Sequence, residues 1–463
     1  MPVRLKPHPL YIWYDARKWF WLLLIPVLRA VLTPWNAAPI LAASLRDVGL
    51  ALLLIGLSVA RWRQAAYRLD EEITLDTGLW IRRSLHLAVD DAASVEVERS
   101  PLMWLTRSRR VRVSTAGLRR RADATLYLPA STVRTLMEES PLQKRRRYAA
   151  RLWPVTMLAA SGSNAAVGLL TLAPAVRQIS HVLGQQVPDQ VYNLMDRILS
   201  LGLPPLLNSL ANLLVLSWGV SFIGSWLRHS GFTARREGDR LWLASGLITR
   251  RNVWIDSRKI TALELRQTLF MRMFRLYTAT ITAAGYGREK GARPIVVPAA
   301  RSKELCAALD ELLPEYPICP SCLRPGWRSV FRFIGLPLVP FVCGWILLCW
   351  GGLWSSAGLL LLIGGGWWLI IRGMGFRWAG FGVGSGAVTM RYSRGLALYA
   401  VHVPVEVADC AILTRSPFQK RSGTCTVELR CFGEKRRRHR VPALPYWAAQ
   451  ALVDRLRREN PHF

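Results

Sequence analysis

The residues with the clearest chemical potential are basic. LRRR carries Arg119, Arg120 and Arg121, YGREKGAR carries Arg288, Lys290 and Arg293, and EKRRRHR carries Lys435, Arg436, Arg437, Arg438 and Arg440. Each run follows a turn glycine: Gly117, Gly285 or Gly433. Beside an anionic bilayer each Lys or Arg contributes about 1 kcal/mol, so such a run holds a domain on the surface. Solvated hairpin tips enriched by a topological bias fit the same residues, and the sequence leaves both readings open. A second candidate is an intramembrane polar pair. Arg29 and Asp47 lie within or at the edge of apolar stretches, where an isolated charge costs ~2.5–3.5 kcal/mol. Pairing them would lower that cost and mark a polar path, whereas snorkelling to the outer interface would leave none.

No catalytic constellation is present: there is no GxxxxGK[ST], HExxH or GxSxG, so neither an enzyme nor a cofactor is expected. Cys319 and Cys322 form one CxxC in PICPSCLRP, with Cys306 nearest and no His close by. A zinc ribbon needs two such knuckles, so no metal is expected. His86, His229, His402 and His439 fall singly, and Asp90 and Asp91 are adjacent. Neighbouring carboxylates on a strand point to opposite faces, so Asp90 and Asp91 do not form a catalytic pair.

A net charge of +32 would place nucleic acid first among the partners of a soluble protein. Apolar stretches long enough to cross a bilayer change that ordering, because cytoplasmic flanks collect Lys and Arg, and no nucleic-acid partner is expected. The stretches run from Trp19 to Trp35, Ala37 to Ala60, Leu152 to Val176, Leu206 to Leu227, Phe333 to Trp350 and Leu353 to Ile371. They pair into three hairpins. Arg17, Lys18, Arg61, Arg63, Lys144 to Arg147, Arg228, Arg328, Arg332, Arg372 and Arg377 flank one side, which predicts cytosolic termini. Gly162, Gly168, Gly364, Gly365 and Gly366 are candidates for close helix contact in a six-helix bundle.

Each hairpin precedes a segment of similar plan, aligned on Gly78 in TLDTGLWIRR, Gly246 in WLASGLITRR and Gly395 in MRYSRGLALYA. Ser100-Pro101, Gln267-Thr268 and Ser416-Pro417 follow at nearly equal distance, and a repeat of this length is a domain. VRVST, TATIT and TVELR alternate as half-buried strands do. ASTVRTLMEES, AARSKELCAALDELL and YWAAQALVDRLRREN read as closing helices that stop before Pro141, Pro314 and Pro461.

GLWIRR...VERSPLMWL...VRVSTAG and GLITRR...LELRQTLFMRM...TITAAG resemble the bacterial pleckstrin-homology-like domain of the YdbS/YdbT-like membrane proteins. The third segment departs from the pattern, since GLALYA lacks the arginine pairs Arg82-Arg83 and Arg250-Arg251. The resemblance implies a PH-like β-barrel with a C-terminal helix in each segment. The expected architecture is an α+β membrane protein with six transmembrane helices in three hairpins and three cytosolic PH-like domains. Its boundaries are a cytosolic N-terminus at 1–18, hairpins at 19–61, 152–228 with an outer loop at 177–205, and 331–373, and domains at 64–141, 232–314 and 376–461. The expected function is a non-enzymatic protein of the bacterial inner membrane. Its domains bind anionic lipid headgroups or a protein partner, a related membrane protein among them. The resemblance implies a cell-envelope role such as antimicrobial-peptide export or resistance. A lipid or peptide transporter is the alternative.

Overall fold

The computed structural model describes residues 4–16, 37–69, 72–79, 83–88, 91–115, 123–138, 148–162, 205–283, 294–317, 323–352, 354–384, 386–395, 397–431 and 439–460. In the first segment the strands are β1 (Arg4–Leu5), β2 (Ala66–Leu69), β3 (Glu72–Thr77), β4 (Arg83–Ala88), β5 (Ala92–Arg99), β6 (Ser108–Thr115) and β7 (Ala124–Pro129). In the second they are β8 (Tyr148–Ala149), β9 (Thr233–Glu237), β10 (Arg240–Ser245), β11 (Arg250–Asp256), β12 (Ile260–Thr268), β13 (Leu276–Ala283) and β14 (Ile295–Arg301). The third holds β15 (Gly380–Val383), β16 (Ala387–Arg394), β17 (Ala397–Pro404), β18 (Ala408–Thr414), β19 (Thr424–Cys431) and β20 (His439–Pro445). VRVST, TATIT and TVELR are β6, β13 and β19, and the closing helices are Ala130–Glu138, Ser302–Leu312 and Tyr446–Glu459. Gly78, Gly246 and Gly395 all have positive φ, a conformation that a side chain would strain.

Between β5 and β6, β12 and β13, and β18 and β19 lies the same five-residue helix: Pro101–Leu105, Leu269–Met273 and Pro417–Arg421. Its start is written in the caps. Ser100, Thr268 and Ser416 accept the amides of Met103, Met271 and Gln419 at 3.3, 3.4 and 3.3 Å, and Ser416 with Gln419 completes a capping box. The following turn needs a left-handed residue, supplied by Arg107 (φ 51), Arg275 (φ 54) and Gly423 (φ 63).

The described chain forms two compact units. In unit 1, residues 1–145 with 248–256, β1 to β4 make an antiparallel sheet in chain order, and β5, β6 and β7 make another. Residues 4–16, within the stretch expected as a cytosolic N-terminus, are part of this fold. Strand β1 pairs with β2, and the helix Leu10–Ala16 packs Tyr14 against Tyr127 with ring centroids 5.2 Å apart. Asp15 is buried at the helix Ala37–Gln64, where Ser58 and Arg61 donate to it at 3.2 and 3.3 Å.

Unit 2 spans residues 146–247 and 257–463. One of its cores gathers Phe381, Val388, Met390, Val401, Val403, Val427, Leu429, Val441 and Leu444 with Ala449 and Leu456 of the closing helix. Two of its helices, Trp327–Trp350 and Ala357–Trp378, are long and apolar enough to cross a membrane. They form an antiparallel hairpin, Val330–Trp350 and Trp354–Trp378, turned at Gly351 (φ 77) and Gly352 (φ 64). The helix Pro205–His229 matches the fourth apolar stretch, while 17–36 and 163–204 lie outside the described residues.

Close packing in the last hairpin uses glycines only partly foreseen. A methyl at Gly344 would lie 2.6 Å from the Leu362 amide, at Gly358 2.6 Å from the Leu348 amide and at Gly365 2.8 Å from the Phe341 amide. A methyl at Gly366 would make ordinary contact with the Phe341 ring; among the described residues nothing lies within 4 Å of one at Gly162 or Gly364, and Gly168 lies outside them. Consecutive residues on a helix point about 100° apart, so Gly364 and Gly365 cannot both serve one seam.

The sheets also disregard segment boundaries. Strand β11, of the second segment, pairs antiparallel with β5 of the first, with Arg250 opposite Arg99 and Ile255 opposite Ser94. Strand β17, of the third, pairs with β12 of the second, with Leu398 opposite Gln267 and His402 opposite Leu263. The half-sheet of one segment is thereby extended by the next.

Candidate functional site

The capped helices and their left-handed turns build two grooves in which cations lie beside exposed aromatic surface. In unit 1 a groove of about 760 Å³ is lined by His8, Arg99, Trp104, Leu105, Arg107 and Arg109 with the start of the closing helix at Pro129. Trp104 is 63% exposed, and the Arg99 guanidinium lies 6.0 Å from its ring centroid. Arg107 sits in a left-handed conformation that glycine would adopt without strain, a cost retained where its side chain lines the groove. Burial, with the neighbouring charge of Arg99, lowers Arg109 from its ordinary value, but a guanidinium stays charged in any ordinary pH range. Burial also lowers His8, keeping its positive form disfavoured.

The groove in unit 2 occupies the same place on the third segment. It measures about 880 Å³ and is lined by Trp327, Arg328, Arg332, Phe418, Arg421 and Pro445 among others. Trp327 and Phe418 are 77% and 78% exposed. Trp327 opens the apolar span Trp327–Trp350, so one wall belongs to a helix with membrane-crossing length and the other to a β-domain. In the second segment the corresponding short helix packs against hairpin aromatics instead, with Phe270 to Trp367 at 5.3 Å and Phe274 to Trp153 at 6.1 Å. Exposed aromatic rings and arginines together suit an amphiphile with an anionic head: rings tolerate the headgroup boundary and guanidinium forks bind phosphate oxygens.

The sequence-predicted basic residues fare differently. Arg119, Arg120, Arg121, Arg288, Lys290, Arg293, Lys435, Arg436, Arg437 and Arg438 lie outside the described residues. So do Arg29, Cys319 and Cys322; Asp47 is on the helix Ala37–Gln64, with its side chain outside the description. Arg440 is described and is engaged within the domain, its Nε donating at 2.6 Å to the buried Glu428, which also accepts from Arg430 at 3.2 Å. Arg440 keeps about half of its side chain exposed while it neutralises that buried carboxylate, which needs a cation. The groove residues were missed because they come from distant stretches. Their sequence signal was an exposed Trp or Phe inside a capped SPLMWLTR or SPFQKRS turn.

Other titratable groups brought together serve the fold. Glu98 and Arg110 form a buried ion pair, with Arg112 at 3.6 Å from Glu98 and 3.7 Å from Glu96, and Arg251 at 3.9 Å from Glu96. Burial opposes ionisation of Glu98, but the charge and hydrogen bond of Arg110, with Arg251 and Arg112, outweigh it and hold the carboxyl below its usual value. Burial raises Glu96 despite Arg112 and Arg251. His439 bonds Tyr392 at 2.8 Å and His402 bonds Thr389 at 3.0 Å. No group of three or more metal-ligating side chains meets among the described residues.

His402 yields a pH prediction. Burial, assisted by Arg391, depresses its imidazole from 6.5 to about 4, so the folded state favours the neutral ring. Stability from this residue is complete above pH 6.5 and declines as pH falls toward 4, by about 3 kcal/mol in all. Thermal melts of the full chain between those values should show this loss, and His402→Gln should flatten the dependence.

The bacterial PH domain family matches residues 20–146 and 190–315. UPF0699 transmembrane protein YdbT of Bacillus subtilis (strain 168) is 22% identical over 315 residues, or 62% of this chain and 63% of the relative. The similarity therefore spans less than two thirds of that protein. No solved structure matches. The relative's name and the two apolar helices support membrane localisation, and with more than half of its residues matched the chain belongs to the bacterial PH domain family.

Proposed function

We propose that the chain is a six-crossing protein of the bacterial inner membrane, with three hairpins alternating with three cytosolic PH-like domains, and that it is a non-enzymatic scaffold docking on anionic lipid headgroups. The observation that carries this reading is the groove between Trp327–Arg332 and Phe418–Arg421, where three arginines meet two exposed aromatic rings at the start of an apolar helix. Basic flanks of the apolar stretches supply the orientation: Arg61 and Arg63 end the helix Ala37–Gln64, Arg228 ends Pro205–His229 and Arg377 ends Trp354–Trp378. A cell-envelope role in antimicrobial-peptide export or resistance accords with the family resemblance.

Native mass spectrometry of the full chain, released from nanodiscs of mixed phosphatidylglycerol and phosphatidylcholine, tests the docking. The wild type should retain phosphatidylglycerol selectively. Replacing Arg328, Arg332 and Arg421 by Gln should reduce that retention by roughly a hundredfold, at about 1 kcal/mol per cation. Equal retention of both lipids, or retention unaltered in the triple variant, would refute the reading.

A further inference from the structure

Strands β5 and β12 each receive an antiparallel strand from the following segment, but β18, their counterpart in the third, has β19 as its sole strand neighbour among the described residues. At the other end β4, the counterpart of β11 and β17, likewise neighbours only β3 among the described residues. The described strands thus leave an acceptor edge at one end and a matching donor edge at the other. We infer that β18 of one copy pairs antiparallel with β4 of a second copy, joining chains head to tail.

The two internal junctions fix the register. The residue before the short-helix cap, Arg99 or Gln267, faces Arg250 or Leu398, and three positions earlier Glu96 and Glu264 face Val253 and Val401. Carrying this register to the third segment sets Thr414 opposite Arg83, Ile412 opposite Leu85 and Cys410 opposite Leu87. The position held by Glu96 and Glu264 in the internal junctions is Ile412 in the open strand, so the pair formed is Ile on Leu. Alternation is preserved: Ala411 and Leu413 pack on the core of unit 2, as Val95 and Val97 do in unit 1, and leave Cys410 and Ile412 for the partner. Cys410 to Leu413 hold no charge or proline, the features by which a solvent-facing edge normally avoids association. A second copy fits best because both edges, with matching register, belong to one chain. The contact is heterologous, and repetition gives a ring or an extended array in the membrane.

Directly opposed residues in an antiparallel pair have Cα atoms about 4.5–5.5 Å apart, within reach of a disulfide. Two differently tagged full chains, with native cysteines replaced and carrying Leu85→Cys or Ile412→Cys, would be co-reconstituted in liposomes and oxidised. A mixed-tag product is expected, with at least tenfold less when Leu413→Cys, whose side chain faces inward, replaces Ile412→Cys. In the native cysteine background, Ile412→Lys should reduce the oligomer to monomer mass by mass photometry while leaving the thermal melt of the chain unchanged. A wild-type monomer, a cross-link found only within one doubly substituted chain, or an Ile412→Lys variant that keeps its oligomeric mass would overturn the inference.

Discussion

Gly358→Leu should separate the helices Val330–Trp350 and Trp354–Trp378 and lower the melting temperature of the detergent-purified chain sharply. A Cβ at Gly358 would meet the Leu348 amide at 2.6 Å and the Gly344 carbonyl at 2.8 Å, and both are backbone atoms that no rotamer change can move aside. Overpacking costs on the order of 3 kcal/mol where side chains can yield, so a clash with helical backbone should reach or exceed that value. Gly344→Leu should behave alike, since its Cβ would approach the Leu362 amide to 2.6 Å. Gly364→Leu provides the control: no described residue lies within 4 Å of its Cβ, and its melting temperature should match the wild type.

Arg110→Ala should destabilise unit 1 by ~1–3 kcal/mol, because the buried Glu98 carboxylate loses its hydrogen-bonded cation but keeps Arg112 at 3.6 Å. Arg110 and Glu98 are both buried, and the Arg110 guanidinium also lies 5.5 Å from the Tyr14 ring centroid, tying the N-terminal helix to β6. Hydrogen exchange of the full chain should quicken across β5, β6 and residues 10–16. The pair Glu98→Gln with Arg110→Met should recover most of the protection, because it removes both charges. The sign with pH follows from the lowered carboxyl: its contribution is present above the unfolded value near 4.5 and is lost as pH falls through the lower folded one.

Local structure was legible because each signal was short-range. The strands at VRVST, TATIT and TVELR, the helices ahead of Pro314 and Pro461, and the turn at Gly246 follow from alternation, capping and backbone conformation within a few residues. Partner choice was less legible, since β5 has the same alternation whether its neighbour is β4 or β11, and only three-dimensional register distinguishes them. The hairpin seam shows the same limit. Gly358 and Gly365 stand seven residues apart on one face and mark the contacts with Gly344 and Phe341, whereas the conspicuous Gly364-Gly365-Gly366 run drew attention to composition instead of spacing. The groove was hidden for a related reason. Arg440 belongs to a visible basic run and also neutralises buried Glu428, while Arg328 read as a flank of an apolar stretch until the fold placed it with Arg421 on one groove.

Photo-crosslinking tests the central claim of headgroup docking most directly. The full chain would be reconstituted with phosphatidylglycerol bearing a photoreactive headgroup, illuminated and mapped by peptide mass spectrometry. The account predicts adducts on peptides containing Trp104 to Arg109, Trp327 to Arg332 and Phe418 to Arg421, competed away by unlabelled phosphatidylglycerol but not by phosphatidylcholine. Adducts confined to other surfaces, or competed equally by both lipids, would contradict it.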